Sequence, residues 1–215
     1  MKRIYFVRHG ESESNVTGVV QGLYDPLSEA GELQALRIAE RAQSIDFSAL
    51  ISSDATRARM TADAVHSTTK VPIVESELFR EVKRPTSLVG LAHTREEYIS
   101  FLRAEYDNRL DSAWRFEDEE IYGDLYARAQ SALQFLLDHE AEELLVVTHG
   151  HFLRFLLATM IMGTKLTPDI WHAFATRFVV TNTGITIASH EPIPWKKEEK
   201  HWRVLTWNDH AHFAE

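Results

Sequence analysis

The chain has 215 residues, 44% of them hydrophobic, with no cysteine and a formal charge of −9. Disulfides, thiolate metal sites and a catalytic thiol are excluded, and an acidic balance without a basic stripe argues against nucleic acid as a partner. One good-sized domain is the expected organisation, because roughly 70% of an unfolded chain of this length can be buried without staples.

Met1-Lys2-Arg3 followed by Ile4-Tyr5-Phe6-Val7 begins like a signal peptide, but Arg8-His9 cuts the apolar run far short of an h-region. Nothing approaches the ~18 apolar residues of a membrane span, so no membrane partner is expected and the cytoplasm is the expected location. Ile4 to Val7 reads as a buried strand. Ser28 to Ile45 carries helical periodicity, with Leu33, Leu36 and Ile38 at apolar positions and Ser28 as N-cap. Ala49-Leu50-Ile51 is a second short strand, running into Ser52-Ser53-Asp54, a cluster of capping residues, and a helix from Ala55 to Val65. Val71 to Val74 is a third strand.

From Glu81 to Glu120 the pattern loosens. A loop with Pro85 and Gly90 precedes an amphipathic helix near Glu96 to Tyr106, and Glu117-Asp118-Glu119-Glu120 reads as a solvated face or loop. Leu125 to His139 is again helical. Leu144 to Val147 is the clearest strand and ends at Thr148-His149-Gly150, before a helix over Phe152 to Met162. Phe178 to Val180 and Ile185 to Ile187 are expected as late strands, with Trp202 to Trp207 as an edge strand. The basic stretch Trp195-Lys196-Lys197, broken by Glu198-Glu199, reads as a solvated loop. Strands alternating with helices predict a three-layer, doubly wound α/β fold with a mostly parallel sheet, carrying an inserted lid at about 82–120.

In such a sheet, ligands sit outside the carboxyl ends of the strands. This chain places Arg8, His9 and Gly10 after the first strand, Arg57 one turn beyond the second, and His149 and Gly150 after the Leu144 strand. Guanidinium forks suit the paired oxygens of a phosphate. The helix N-terminus near Asp54 would add donors, and Gly10 and Gly150 would let the backbone approach a ligand.

Arg8-His9-Gly10-Glu11, with Asn15 following, resembles the RHGE signature of the histidine phosphatase superfamily, which contains the cofactor-dependent phosphoglycerate mutases. Ser52 to Ala62 is similar to that family's second motif, whose arginine maps to Arg57, leaving Arg59 as a decoy. Phe79-Arg80-Glu81-Val82 resembles the segment with the proton donor, placing it at Glu81, and Val146 to Gly150 resembles the segment with the second histidine. The resemblance implies that His9 is a nucleophile forming a phosphohistidine that water later hydrolyses. Arg8, Arg57 and a protonated His149 would clamp the equatorial oxygens, and Glu81, with a raised pKa beside the anion, would donate the proton. Asn15, Gln21, Gly22 and Gly150 align with phosphate-pocket positions, and Glu11 is expected to orient an arginine of the pocket.

The eleven histidines include the pairs His149/His151 and His210/His212 with ligand-like spacing. Arg8 and Arg57 would repel a cation, so no metal and no cofactor are expected. The expected activity is metal-independent phosphomonoester hydrolysis on a small phosphorylated substrate, with a phosphoprotein as the alternative. Two other readings stand beside it. A phosphoglycerate mutase would need a cationic site for a second anion, and the segment after Glu81 has only scattered arginines at 84, 95, 103, 109 and 115. A non-enzymatic phospho-ligand-binding regulator would be marked by loss of the nucleophile or acid, and both residues are present. Substrate choice is assigned to the 82–120 segment and to aromatic residues such as Phe79, Tyr98 and Trp114.

Overall fold

Alternation along the first strand dictates two apolar layers. Ile4 and Phe6 point to one face of the sheet and Tyr5 and Val7 to the other, and all four are buried. The computed structural model describes residues 1–213. Strands β1 (Lys2–Arg8), β2 (Ala49–Ser52), β3 (Ile73–Glu75), β4 (Glu143–Thr148), β5 (Ile185–Ile193) and β6 (Lys196–Asp209) form one sheet in the order β3-β2-β4-β1-β5-β6. The first four strands of that order run parallel, whereas β5 and β6 are antiparallel additions. Helices α2 (Glu29–Ala42) and α3 (Thr56–Thr69) cover the Tyr5/Val7 face, and α5 (Tyr122–Asp138) and α6 (Gly150–Met162) cover the Ile4/Phe6 face. The fold is thus α/β with helices on both faces of a mixed sheet.

Several local expectations need correction. Ser28 does cap α2, accepting from the Gly31 N–H, but Leu33 and Leu36 are exposed. The buried stripe is Gly31, Ala35, Ile38, Ala39 and Ala42, and all but Ile38 are small residues that let the helix lie close to the β1 turn. A Cβ on Gly10 would stand 2.5 Å from the Gly31 carbonyl oxygen, so Gly10 serves this helix contact rather than a ligand. Ser52, Ser53 and Asp54 do not cap α3. Its N-cap is Ala55, with no side-chain cap bond, and Asp54 instead forms a bidentate pair with Arg80. Phe178 to Val180 is no strand but a connection after a helix the sequence reading missed, α7 (Pro168–Ala175). Also missed is the one-turn helix α1 (Glu13–Thr17). Lys196 and Lys197 open β6 rather than occupying a loop, the turn itself being Pro194-Trp195. The acidic run is not wholly solvated either: Glu119 is buried, and Glu120 pairs with Arg128.

The 82–120 segment contains α4 (Glu96–Asp107) and packs beside the 18–20 turn. The Val20 N–H donates to the Leu91 carbonyl at 2.9 Å, and the His93 N–H donates to the Gly18 carbonyl at 2.8 Å. Its own core is small, built on Leu88 and Phe101 against Val20, with Tyr98 and Phe116 at the margin. Trp114 lies 6.4 Å from Phe116, whereas Phe79 is fully buried in the main core.

Candidate active site at the strand ends

Register brings the site together. Arg8 pairs with Thr148 across β1 and β4, and Ser52 pairs with Val147 across β2 and β4. The ladder continues one step beyond the strands, with the His9 N–H on the Thr148 carbonyl at 2.9 Å and the Ser53 N–H on the Val147 carbonyl at 3.0 Å. His149, leaving the central strand, therefore sits between His9 and Ser53. Its ring centroid is 5.0 Å from that of His9, and its Nε2 is 2.8 Å from the Ser53 Oγ.

Bonding determines the two imidazoles. His9 Nδ1 lies 2.6 Å from the Gly10 carbonyl oxygen, so the proton is on Nδ1 and Nε2 keeps a lone pair. Arg57 approaches that lone pair through Nε at 3.3 Å and is itself held by Nη1 donating to the Gly22 carbonyl at 2.7 Å. Burial, followed by Arg57 and Arg8, holds His9 well below the ordinary histidine value, which keeps it neutral at pH 7. His149 is held down in the same way, by burial first and then by Arg57 and His9, so the expected imidazolium is not what the free site contains. A neutral His149 still donates. The Ser53 Oγ accepts from the Ala55 N–H and still has both a hydrogen and a lone pair for His149 Nε2, so the bond between them forms with either His149 tautomer. His149 Nδ1 is buried without a partner, as is Arg8 Nε. Two orphaned buried polar nitrogens on one rim are costly unless a ligand takes them.

Arg8 is fixed by Nη1 donating to the Val180 carbonyl at 2.6 Å, so the segment expected as a strand acts as an arginine rest. Gly150 is needed here: a Cβ would stand 3.2 Å from Arg8 Nε. Burial pulls the Arg8 and Arg57 guanidiniums below their ordinary values and Glu81 partly restores them, so both remain charged.

Glu81 lies across the N-terminus of α6, accepting from the Val82, His151 and Phe152 N–H groups at 3.0, 3.1 and 2.8 Å. Burial works to raise its pKa, but His151 and these three donations outweigh it and the carboxyl lies below its ordinary value. The raised pKa expected beside an anion is thus not a property of the free site. His151 is itself held down, by burial first and then by Arg84.

The remaining sequence candidates take other places. Asn15 and Gln21 both bond to Ser12, the N-cap of α1, through Oδ1 and Nε2 at 3.2 and 2.7 Å. The Gly22 N–H goes to Asp25 at 2.7 Å, so Gly22 acts through its carbonyl on Arg57. Glu11 orients no arginine and accepts from the Ser28 hydroxyl at 2.8 Å. Arg59 turns outward to Asp63 and Glu75, as a decoy should. Sequence reasoning missed Ser53, although it stands at a strand end like the histidines. It also missed Asn182, whose Nδ2 donates to the His9 carbonyl at 2.9 Å. Beside it the Thr183 N–H donates to the Arg8 carbonyl at 2.8 Å, with Thr183 at φ +54°, a strained conformation for a β-branched residue. The His149/His151 spacing is not a metal pair, since one ring meets Ser53 and the other packs edge-on against Trp171 at 5.1 Å.

The family description "Histidine phosphatase superfamily (branch 1)" matches residues 4–210. The chain belongs to the histidine phosphatase superfamily. A probable phosphoglycerate mutase GpmB of Escherichia coli O1:K1 is 31% identical over 220 residues, covering 99% of this chain and 95% of that protein. Among solved structures, Bacillus stearothermophilus YhfR superposes with a TM-score of 0.81 at 26% identity, covering 99% of both chains. A mycobacterial glucosyl-3-phosphoglycerate phosphatase superposes with a TM-score of 0.79 at 25% identity, covering 97% of this chain and 99% of that one. Two of these three relatives, the mutase-named protein and the mycobacterial phosphatase, are named for small phosphorylated compounds.

Proposed function

We propose that the protein is a metal-independent phosphomonoester hydrolase working through a phosphohistidine on His9. The observation that carries this reading is the pairing of a neutral His9, with its Nε2 lone pair presented beside Arg57, with two unpartnered buried nitrogens, Arg8 Nε and His149 Nδ1. In the first step Nε2 attacks phosphorus, the ester P–O bond breaks, and the departing oxygen takes a proton from Glu81. In the second, water attacks the phosphohistidine, Glu81 takes the water's proton, and inorganic phosphate leaves. Arg8, Arg57 and His149 hold the equatorial oxygens throughout, each donor worth about 2–4 kcal/mol of barrier. Glu81 must be protonated to act first. A phosphate dianion arriving beside it works against the donors that favour ionisation and supplies that condition. The 82–120 segment serves as the lid of a single domain, and the substrate is a small phosphorylated molecule of the cytoplasm.

The mutase-named relatives support a second reading, phosphoryl transfer between hydroxyls of one small acid. The arginines of the 82–120 segment weigh against it. Arg84 is paired with Glu105, Arg95 with Glu97, Arg103 with Glu96 and Arg115 with Asp124, and Arg109 rests on the Tyr106 carbonyl and ring, so four of the five are already matched by carboxylates.

The test is phosphate release from p-nitrophenyl phosphate with chelator present and His9→Ala alongside. Turnover that survives chelator and vanishes in His9→Ala is the expected result. Turnover indifferent to His9, or interconversion of phosphoglycerates without phosphate release, would overturn it.

A further inference from the structure

Outside the rim, the most fully built polar cluster surrounds Arg128 on α5. Arg128 and Glu120 form a two-armed pair, Nε to Oε1 at 2.6 Å and Nη2 to Oε2 at 2.7 Å, with side chains only 17% and 12% exposed. The remaining nitrogen, Nη1, donates to the carbonyls of Leu78 and Arg80, both at 2.9 Å. The Arg80 carbonyl belongs to the peptide that leads into Glu81. The guanidinium also lies 4.0 Å from the ring of Phe152, the residue whose N–H donates to Glu81. Arg128 therefore touches both the chain that carries the carboxyl and the helix end that receives it.

Glu120 extends the hold. Its N–H donates to the Lys83 carbonyl at 3.0 Å and its Oε2 accepts from the Lys83 N–H at 3.3 Å. The two ends of the 82–120 segment are thereby tied to each other and, through Arg128, to α5. Between the two Arg128 contacts, the Thr148 hydroxyl donates to the Phe79 carbonyl at 2.8 Å, so the same stretch is pinned to the strand that delivers His149.

A buried ion pair contributes little net stability compared with apolar side chains of the same size, since desolvation offsets the attraction. What apolar residues could not supply is the fork, which fixes two carbonyls and a carboxylate in one plane. We propose that Arg128 and Glu120 are positioning residues for the Glu81 carboxyl, holding its main chain against α6 so that the acid faces the leaving oxygen. The inference rests on the phosphatase reading above and adds to it the device that places the acid. A displacement of about 1 Å at an acid can cost on the order of 100-fold in rate.

The test uses a series of substituted phenyl phosphates from p-nitrophenyl to p-methoxyphenyl, nearly equal in size but increasing in leaving-group basicity. Poor leaving groups need the acid and good ones need it little. We compare kcat/KM for wild type, Glu81→Gln, Arg128→Lys and Glu120→Gln. Arg128→Lys keeps the charge and removes the fork, and Glu120→Gln keeps the size should the first variant fold poorly. The expected loss in both grows along the series, from a few-fold at p-nitrophenyl to on the order of 10–100-fold at p-methoxyphenyl, following the steeper trend of Glu81→Gln. An equal loss across the series, or none, would overturn the positioning role. A Glu81→Gln trend parallel to wild type would instead remove Glu81 as the acid, and this inference with it. Absence of His9-dependent turnover in wild type would overturn the phosphatase reading itself.

Discussion

The strand-end rim and the 82–120 segment are held by different physics. At the rim, backbone ladders run past the strand ends, His9, Arg57 and His149 are almost wholly buried, and each side chain is fixed by a bond to a carbonyl or hydroxyl. The 82–120 segment packs Leu88 and Phe101 against Val20 and carries a coat of exposed ion pairs that contribute little. The rim is thus held rigidly by its own backbone and side-chain bonds, whereas the 82–120 segment has few buried apolar contacts to hold it. Changes at the rim should therefore cost rate, and changes in the 82–120 segment should cost local order.

The largest expected effect is Arg57→Ala. Removing the group beside His9 Nε2 should lower kcat/KM for p-nitrophenyl phosphate by about 10²–10³, with little change in melting temperature. A loss below tenfold would mean that the rim is less preorganised than its geometry implies. Next, Phe101→Ala deletes the centre of the small cluster, a change of about 3 kcal/mol felt locally. Limited proteolysis should then cut within 82–120 while the sheet remains intact. A single cooperative melt lowered by many degrees, with no local cutting, would erase the distinction between the two regions.

Gly150→Ala tests the rim more finely. Its Cβ would press on Arg8 Nε at 3.2 Å and move the guanidinium by a few tenths of an ångström, for an expected drop of about tenfold in kcat/KM at unchanged stability. A separate effect is on pH dependence. His9 and His149 have folded-state values well below the ordinary histidine value near 6.5, so below that pH the unfolded chain binds protons that the folded chain refuses. Stability should be level above about pH 6.5 and fall as pH drops, at most about 1.4 kcal/mol per pH unit for each such group. Urea midpoints at pH 7 and pH 5 measure this fall, and His149→Gln should flatten it. An unchanged slope in that variant would show that His149 is not held neutral by the fold.

Much of the rim was legible because a strand-end residue is local information. The apolar runs at Ile4–Val7 and Leu144–Val147 end where charged residues and histidines begin, and parallel register carries those ends to one edge. Arg57 could be told from Arg59 only by the motif's resemblance; in the fold Arg57 is buried against His9, while Arg59 is half-buried and paired with Asp63 and Glu75. Leu33 and Leu36 misled because hydrophobicity alone does not say how close a helix must lie, and the Gly10–Gly31 contact demanded the small-residue face of α2. Ser53 could have been found by the strand-end argument, had it been applied to hydroxyls as well as to ionisable groups. Asn182 and Arg128 left no local mark, since their partners lie far away in sequence.

By itself, the amino-acid sequence determined the layered α/β plan and the convergence of Arg8, His9, Arg57 and His149, because alternation and strand termini are properties of short segments. Protonation was decided only in three dimensions. Whether His149 is charged and whether Glu81 holds a proton depend on burial and on neighbours from distant segments, and those exist only once the chain has closed around them. The same holds for which buried groups remain unpartnered: Arg8 Nε and His149 Nδ1 are left without partners only once the chain has closed around them.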